Sequence, residues 1–496
     1  MKYSVLAAAV FLGGCAVLFP SRPPSDPVER LQYDIDRVLG DSLFVPARAS
    51  IKVVSLDNGQ GLYDRDSKLL MRPASNTKLL TSATALAVLG KNFLYKTSVL
   101  IDTLPSGGVV SGNVYLKGFG NPDLKTSDID SLASLLAVAG IRQINGDVVA
   151  DNSYFDDLSW GNGWMWDDEP DPDEMFISAL SVNKNCVTVN VAPCSVEGDS
   201  AIVSVDPPTS YITLQSKVAT VKDSVVIPLK ISRLFRERLN TITAEGQILL
   251  GANPRKQQIS VWKPELYAAQ LLKESLIRHG IAVFGQTKPG TTPLFAVETA
   301  SHNGRIDSVL VNLNKVSDNL SAENTLKILG ASKYGIPGSA RNGLYVVNSY
   351  LSTLGIDTTR FLVVDGSGVS HYNLVTVEML VQLLMGVYRD QSIFPLFYES
   401  LPIGGIDGTI KSRMNATMAE GNLRAKTGMI SGVSSLSGYV RTRDNEMLAF
   451  SIMMQNFILP TSGYRRAQDR IGELLAMFSR YRSLSAAQGL LNGKRE

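Results

Sequence analysis

The chain has 496 residues, 44% hydrophobic, 19% charged and 7% aromatic, the composition of a folded protein of about two to four domains. Its 48 basic and 46 acidic side chains leave a net charge of +2, and no basic run adds an electrostatic case for a nucleic-acid partner. Three histidines (His279, His302, His371) and three cysteines (Cys15, Cys186, Cys194), none clustered at ligand spacing, argue against a zinc centre.

The chain opens MKYSVLAAAVFLGGCAVLFP, with Lys2 ahead of an apolar run from Val5 to Leu12. That run is too short to span a bilayer and reads as an export signal. "LGGC" resembles the bacterial lipoprotein processing box, which would make residues 1–15 a lipoprotein signal and Cys15 the lipidated residue. An ordinary signal peptide that contains a cysteine is the alternative. Residues 16–26 form a short tether, and no later segment is apolar enough to cross a membrane.

A first helix is predicted in PVERLQYDIDRVLG, with Leu31, Ile35, Val38 and Leu39 on one face. Two strand-like runs around an Asn-Gly turn in ASIKVVSLDNGQGLYDRDS predict a hairpin. RPASNTKLLT then leads into an apolar helix closed by Gly90. From residue 96 to 294 short strand-like pieces dominate, such as GNVYLKG, CVTVNV and NTITAEGQILL, and Pro264 begins a helix. Cys186 and Cys194 flank one of these strands, where a disulfide and two buried free thiols are equally compatible with the spacing. After residue 295 helical periodicity returns, two strands surround a tight turn in GYVRTRDNEMLAFSIMMQ, and an amphipathic helix ends the fold before a polar tail, 483–496. The pattern predicts a mixed α/β domain, 27–95 and 295–482, split by a β-rich insertion, 96–294.

With histidine scarce, a hydrolase would need another base, and lysine is the substitute when burial or a second cation lowers its pKa. Ser-x-x-Lys on a helix puts hydroxyl and amine on one face, one turn apart. The motif occurs three times, at Ser75–Lys78, Ser181–Lys184 and Ser260–Lys263. Only the first opens a long apolar helix, so Ser75 is favoured, although a serine there also suits a helix cap. Ser317-Asp318-Asn319 precedes a helical run, and Lys426-Thr427-Gly428 lies at a strand edge. Each is weak alone, but Ser-x-x-Lys, Ser-Asp-Asn and Lys-Thr-Gly in this order are the triple of β-lactamases and penicillin-binding proteins.

On those motifs, and on the blocks DGSGVS, GIDGTIKSRM and INGDVVADNSYFD, the sequence resembles the class C low-molecular-mass penicillin-binding proteins, D-alanyl-D-alanine carboxypeptidase/endopeptidases. The resemblance implies a three-layer α/β/α domain with an antiparallel central sheet, of the serine β-lactamase/transpeptidase type. It implies an acyl-enzyme on Ser75 with Lys78 as base, Ser317 and Asn319 across the cleft, and Lys426 and Thr427 on the substrate carboxylate. The backbone N–H groups of Ser75 and Met429 would form the oxyanion hole beside Gly428. Asp151 matches a family aspartate that faces the substrate's side-chain amine, and is equally a turn residue. Ser370 and His371 close the DGSGVS block, with His371 where arginine is common. The implied partners are peptidoglycan stem peptides and β-lactam inhibitors, with a lipid anchor on the periplasmic side of a bacterial envelope, and no cofactor. A β-lactamase is the near alternative, disfavoured because Glu237 and Asn240 lack the spacing of a deacylating pair. A penicillin-sensing or wall-binding lipoprotein would be the non-enzymatic one.

Overall fold

The computed structural model describes residues 23–222, 227–458 and 460–481. The predicted signal with Cys15 and the polar tail lie outside the described residues. Five antiparallel strands form the main sheet, in the order Arg424–Ile430, Val433–Arg441, Met447–Gln455, Arg48–Ser55, Gly61–Arg65. An early strand and a late one therefore pair in one ladder, with Arg48 opposite Gln455 and Ser55 opposite Leu448.

Two-residue alternation sorts the sheet's side chains onto two cores. Leu448, Phe450, Ile452 and Met454 pack beneath Leu31 and Ile35 of the Pro27–Leu39 helix and Ile471 and Leu475 of the Ser462–Met477 helix. Met447, Ala449 and Met453 face the opposite layer, where Leu79, Leu80, Ala83, Leu326 and Leu380 come from the helices Lys78–Leu89, Asn319–Tyr334 and Val377–Arg389. Met447–Gln455 is buried at every position, as a strand covered on both faces must be. The result is the helix–sheet–helix layering that the family resemblance implies.

The long excursion leaves and returns on neighbouring antiparallel strands, Leu94–Ile101 and Val297–Arg305. It has its own core, which includes Val99, Leu116, Val148, Val189 and Leu272. A mixed five-stranded sheet and small three-stranded sheets make it up. It also contains a helix, Thr126–Val138, that the strand-rich texture concealed; its Ile129, Leu132, Ala133 and Leu136 are buried at helical spacing. Cys186 and Cys194 are both free, the first buried and the second half-buried. Among the described residues no helix is long and apolar enough to cross a membrane.

Candidate active site

The nucleophile motif folds in two stages. Ala74–Thr77 is a 3₁₀ turn and the α-helix starts only at Lys78. Ser75 therefore does not cap the helix, and its hydroxyl is left for other work. Ala74 holds a left-handed φ of 47°, an uncommon conformation for a residue with a Cβ. Neighbouring segments enforce it. A Cβ on Gly368 (φ 89°) would lie 1.9 Å from the Ala74 carbonyl oxygen. One on Gly428 would lie 2.6 Å from Pro73 O and 3.0 Å from Ser75 N. Ser435 Oγ donates to Pro73 O at 2.7 Å. Both glycines thus permit backbone to press directly on the turn.

Ser75 is half-exposed, whereas Lys78 below it has no solvent exposure. Lys78 Nζ lies 2.9 Å from Ser75 Oγ, 2.5 Å from Asn319 Oδ1 and 2.7 Å from the Ser367 carbonyl. Burial lowers its pKa to about 8, against the pull of Asp365, Glu323, Asp318 and Asp173. Lys426, also fully buried, donates to Ser317 Oγ at 2.8 Å and to the Thr427 carbonyl at 2.8 Å. Its pKa is depressed well below the ordinary lysine value by burial first and by the charge of Lys78 second. Burial is the first cause of the lowering at both amines, and the repulsion between them is mutual.

Ser317 reaches the cleft from a strained position. It ends the π-helical turn Asn312–Val316 with φ 68°. Asp318 then caps the Asn319–Tyr334 helix, accepting from Ser321 N at 2.8 Å, and pairs with Lys184 of the insertion at 3.0 Å. Asn319 Nδ2 donates to the Asp173 carbonyl at 2.7 Å, so the insertion touches two of this motif's three residues.

The opposite wall is the strand Arg424–Ile430, at the edge of the sheet. Ala425 N–H donates outward to Pro402 O at 3.0 Å. With a two-residue period, the N–H groups of Thr427 and Met429 point off the same edge, toward the cleft. Thr427 Oγ1 lies 2.8 Å from Thr409 Oγ1. Ser75, Ser317, Asn319, Thr427, Gly428 and Met429 all line one cavity.

The sequence reading missed other groups on that cavity. Asp173 and Glu174, from the acidic stretch WDDEPDPDE of the insertion, stand on one side. Glu174 is pushed up to about 8 by burial and by Asp171, Asp168 and Asp173. Arg413 and Arg465 stand on the cavity as well, Arg465 against the exposed Met429 side chain. An acidic run and isolated arginines carry no spacing signal, because only the fold brings them together.

Three sequence-predicted substrate contacts lie elsewhere. Asp151 is fully buried at the end of the strand Val148–Asp151, bound to Lys117 at 3.2 Å, Ser153 Oγ at 2.6 Å and Thr292 N at 2.8 Å. It holds a turn together, the second of the two readings its sequence allowed, and is not among the residues lining the cavity. Ser370 is buried, with its N–H on Asp365 Oδ2 at 2.7 Å, and braces the loop rather than lining the cleft. His371 neighbours Arg72 and Asp168, with its pKa lowered by burial and then by Arg72, and is also absent from the cavity lining. The two other Ser-x-x-Lys copies are not helical pairs: Ser181 donates to Ser178 O, and Lys263 takes φ 54° at a helix N-cap. Among the described residues no group of acidic, histidine or cysteine side chains is arranged to hold a metal ion.

Residues 31–477 match the D-Ala-D-Ala carboxypeptidase 3 (S13) family. The chain is 34% identical over 473 residues to a D-alanyl-D-alanine carboxypeptidase of Actinomadura sp. (strain R39), covering 92% of this chain and 86% of that protein. It is 27% identical over 399 residues to D-alanyl-D-alanine carboxypeptidase DacB of Haemophilus influenzae, covering 80% and 83%. Among solved structures, penicillin-binding protein 4 (dacB) from Haemophilus influenzae superposes with a TM-score of 0.80 at 24% identity, over 89% of this chain and 99% of that one.

Proposed function

The chain belongs to the D-Ala-D-Ala carboxypeptidase 3 (S13) family, and on that premise we propose that Ser75 is its acylated nucleophile and Lys78 the base that activates it. The protein is a serine-type D-Ala-D-Ala carboxypeptidase of the class C low-molecular-mass penicillin-binding group. The observation that carries the site assignment is the buried Lys78 amine 2.9 Å from the half-exposed Ser75 hydroxyl.

A neutral Lys78 takes the Ser75 proton as Oγ attacks the carbonyl between two D-alanines. The developing oxyanion is held by the N–H groups of Ser75 and Met429, which need only backbone, so methionine at 429 leaves the chemistry intact. Ser317, bonded to Lys426, relays a proton to the leaving amine. Lys426 and Thr427 attract the terminal carboxylate, and water then releases the acyl group. Arg413, Arg465 and the exposed Met429 line the same cavity. A larger leaving group with its own carboxylate would meet cations there, which supports endopeptidase cleavage of cross-links beside carboxypeptidase trimming.

The test is product analysis on purified muropeptides. Wild type is expected to release free D-alanine and to resolve cross-linked dimers, and Ser75→Ala neither. Penicillin labelling without turnover of any peptide would favour a sensor, and rapid penicillin turnover a β-lactamase.

We further propose attachment through a lipid on Cys15, at the periplasmic side of the bacterial envelope. The short apolar run and the LGGC box support it. Metabolic palmitate labelling is expected in the wild-type chain and lost in Cys15→Ala. Labelling that survives the substitution would refute the anchor.

A further inference from the structure

Glu323 is a buried acid that takes no part in the chemistry above. It lies on the Asn319–Tyr334 helix, one turn beyond Asn319 and on the same face, and is 1% exposed. Its Oε1 accepts from the backbone N–H of Gly366 at 3.0 Å and of Ser367 at 2.8 Å. Thr81 Oγ1, from the nucleophile helix, donates to the Gly366 carbonyl at 2.7 Å. The loop so fixed presents the Ser367 carbonyl to Lys78 Nζ at 2.7 Å.

A neutral amine has two N–H bonds and one lone pair. When Asn319 Oδ1 and Ser367 O accept the two hydrogens, the lone pair of Lys78 is left for the third neighbour, the Ser75 hydroxyl. One helix thus governs both acceptors, Asn319 by contact and Glu323 through the Gly366–Ser367 peptide. We propose that Glu323 is a positioning residue for the base, aiming the Ser367 carbonyl so that the lone pair of Lys78 points at Ser75 Oγ. This rests on the reading of Lys78 as base and deepens it.

Charge adds a second handle. Lys78 faces Asp365, Glu323, Asp318 and Asp173, and its own charge acts on Lys426. Glu323 feels Asp365 and Lys78, and lines a separate cavity with Lys327 and its ion-pair partner Asp156. Burial, then Asp365, raises the Glu323 carboxyl above its ordinary range, and the charge of Lys78 opposes that rise. An anion there holds the proton on Lys78, and its removal lets the proton leave at lower pH.

The experiment is penicillin acylation rate against pH for wild type, Glu323→Gln and Glu323→Ala. Gln keeps an acceptor oxygen and removes the charge: the expected result is a plateau within about threefold of wild type and an acid limb about half a unit or more lower. Ala removes the acceptor, and the plateau is expected to fall about tenfold or more as the lone pair loses its aim. An Ala plateau equal to wild type, or a Gln plateau that falls as far as that of Ala although its acceptor remains, overturns the proposal. If Ala does not fold, Glu323→Asp, whose shorter side chain withdraws the acceptor from the Gly366 and Ser367 N–H groups, takes its place with the same expected loss. Lys78→Met separates the two levels: full acylation in that variant would remove the base assignment itself, whereas an inactive Lys78→Met beside silent Glu323 variants would remove only this inference.

Discussion

Penicillin acylation of Ser75→Ala is expected to fall by about 10⁴-fold or more, the scale on which removing a serine nucleophile acts. The argument is one of elimination within the cleft. Four serines line it: Ser75, Ser317, Ser434 and Ser435. Ser435 gives its proton to Pro73 O, Ser434 accepts from Gln468 Nε2 at 3.1 Å, and Ser317 is the partner of Lys426. Only Ser75 pairs with the amine of the nucleophile helix. It is half-exposed and loses a single side-chain bond, so the variant's stability should stay within about 1 kcal/mol of wild type. Gel fluorescence with a labelled penicillin, beside a thermal melt, reads both quantities. Labelling that persists in a folded Ser75→Ala would pass the nucleophile role to Ser317, the other cleft serine bonded to a buried lysine.

The motifs were legible because each is local: four residues fix Ser75 against Lys78, and three fix Lys426 to Gly428. The central layers were legible for a related reason, since the near-continuous apolar run MLAFSIMMQ, as a strand covered on both faces requires, and helical spacing in the flanking segments both survive in the primary sequence. What failed was either non-periodic or non-local. The Thr126–Val138 helix was hidden among strands because its polar face is rich in serine and aspartate, residues that also mark turns. Glu323 sits inside the helical run SAENTLK that follows Asn319, where a charged residue ordinarily faces solvent. Only the approach of the Gly366–Ser367 loop makes it a buried acceptor. Asp151 allowed two readings in the sequence, and only the fold chooses between them, burying the side chain in its turn and tying it to Lys117. Ser75 was placed correctly beside Lys78 but not as a cap, because the 3₁₀ turn delays the helix. That delay leaves its hydroxyl free of capping bonds.

For Lys78→Met the expected outcome is a loss of about 10³-fold in acylation together with loss of the acid limb. Wild-type acylation should rise with pH through about 8, because only the neutral amine accepts the Ser75 proton and burial sets its pKa there. At pH 7 about a tenth of the enzyme then holds a neutral Lys78. The same shift has a stability consequence with a definite sign. An unfolded lysine keeps its proton to its ordinary value of 10.5, while the folded one releases it near 8. The cost of burying the ammonium is therefore complete below about pH 8 and is relieved as pH rises from there toward 10.5. Methionine has a stem of similar length and no proton, so that share of the alkaline gain in stability should vanish with the rate limb. Lys426 is the competing owner of both signals, being equally buried and bonded to Ser317. The two are separable because Lys426 touches Ser317 and not Ser75. If the limb survives in Lys78→Met, the titrating base is the Lys426–Ser317 pair, and proton transfer from Ser75 runs across the cleft instead of down its own helix.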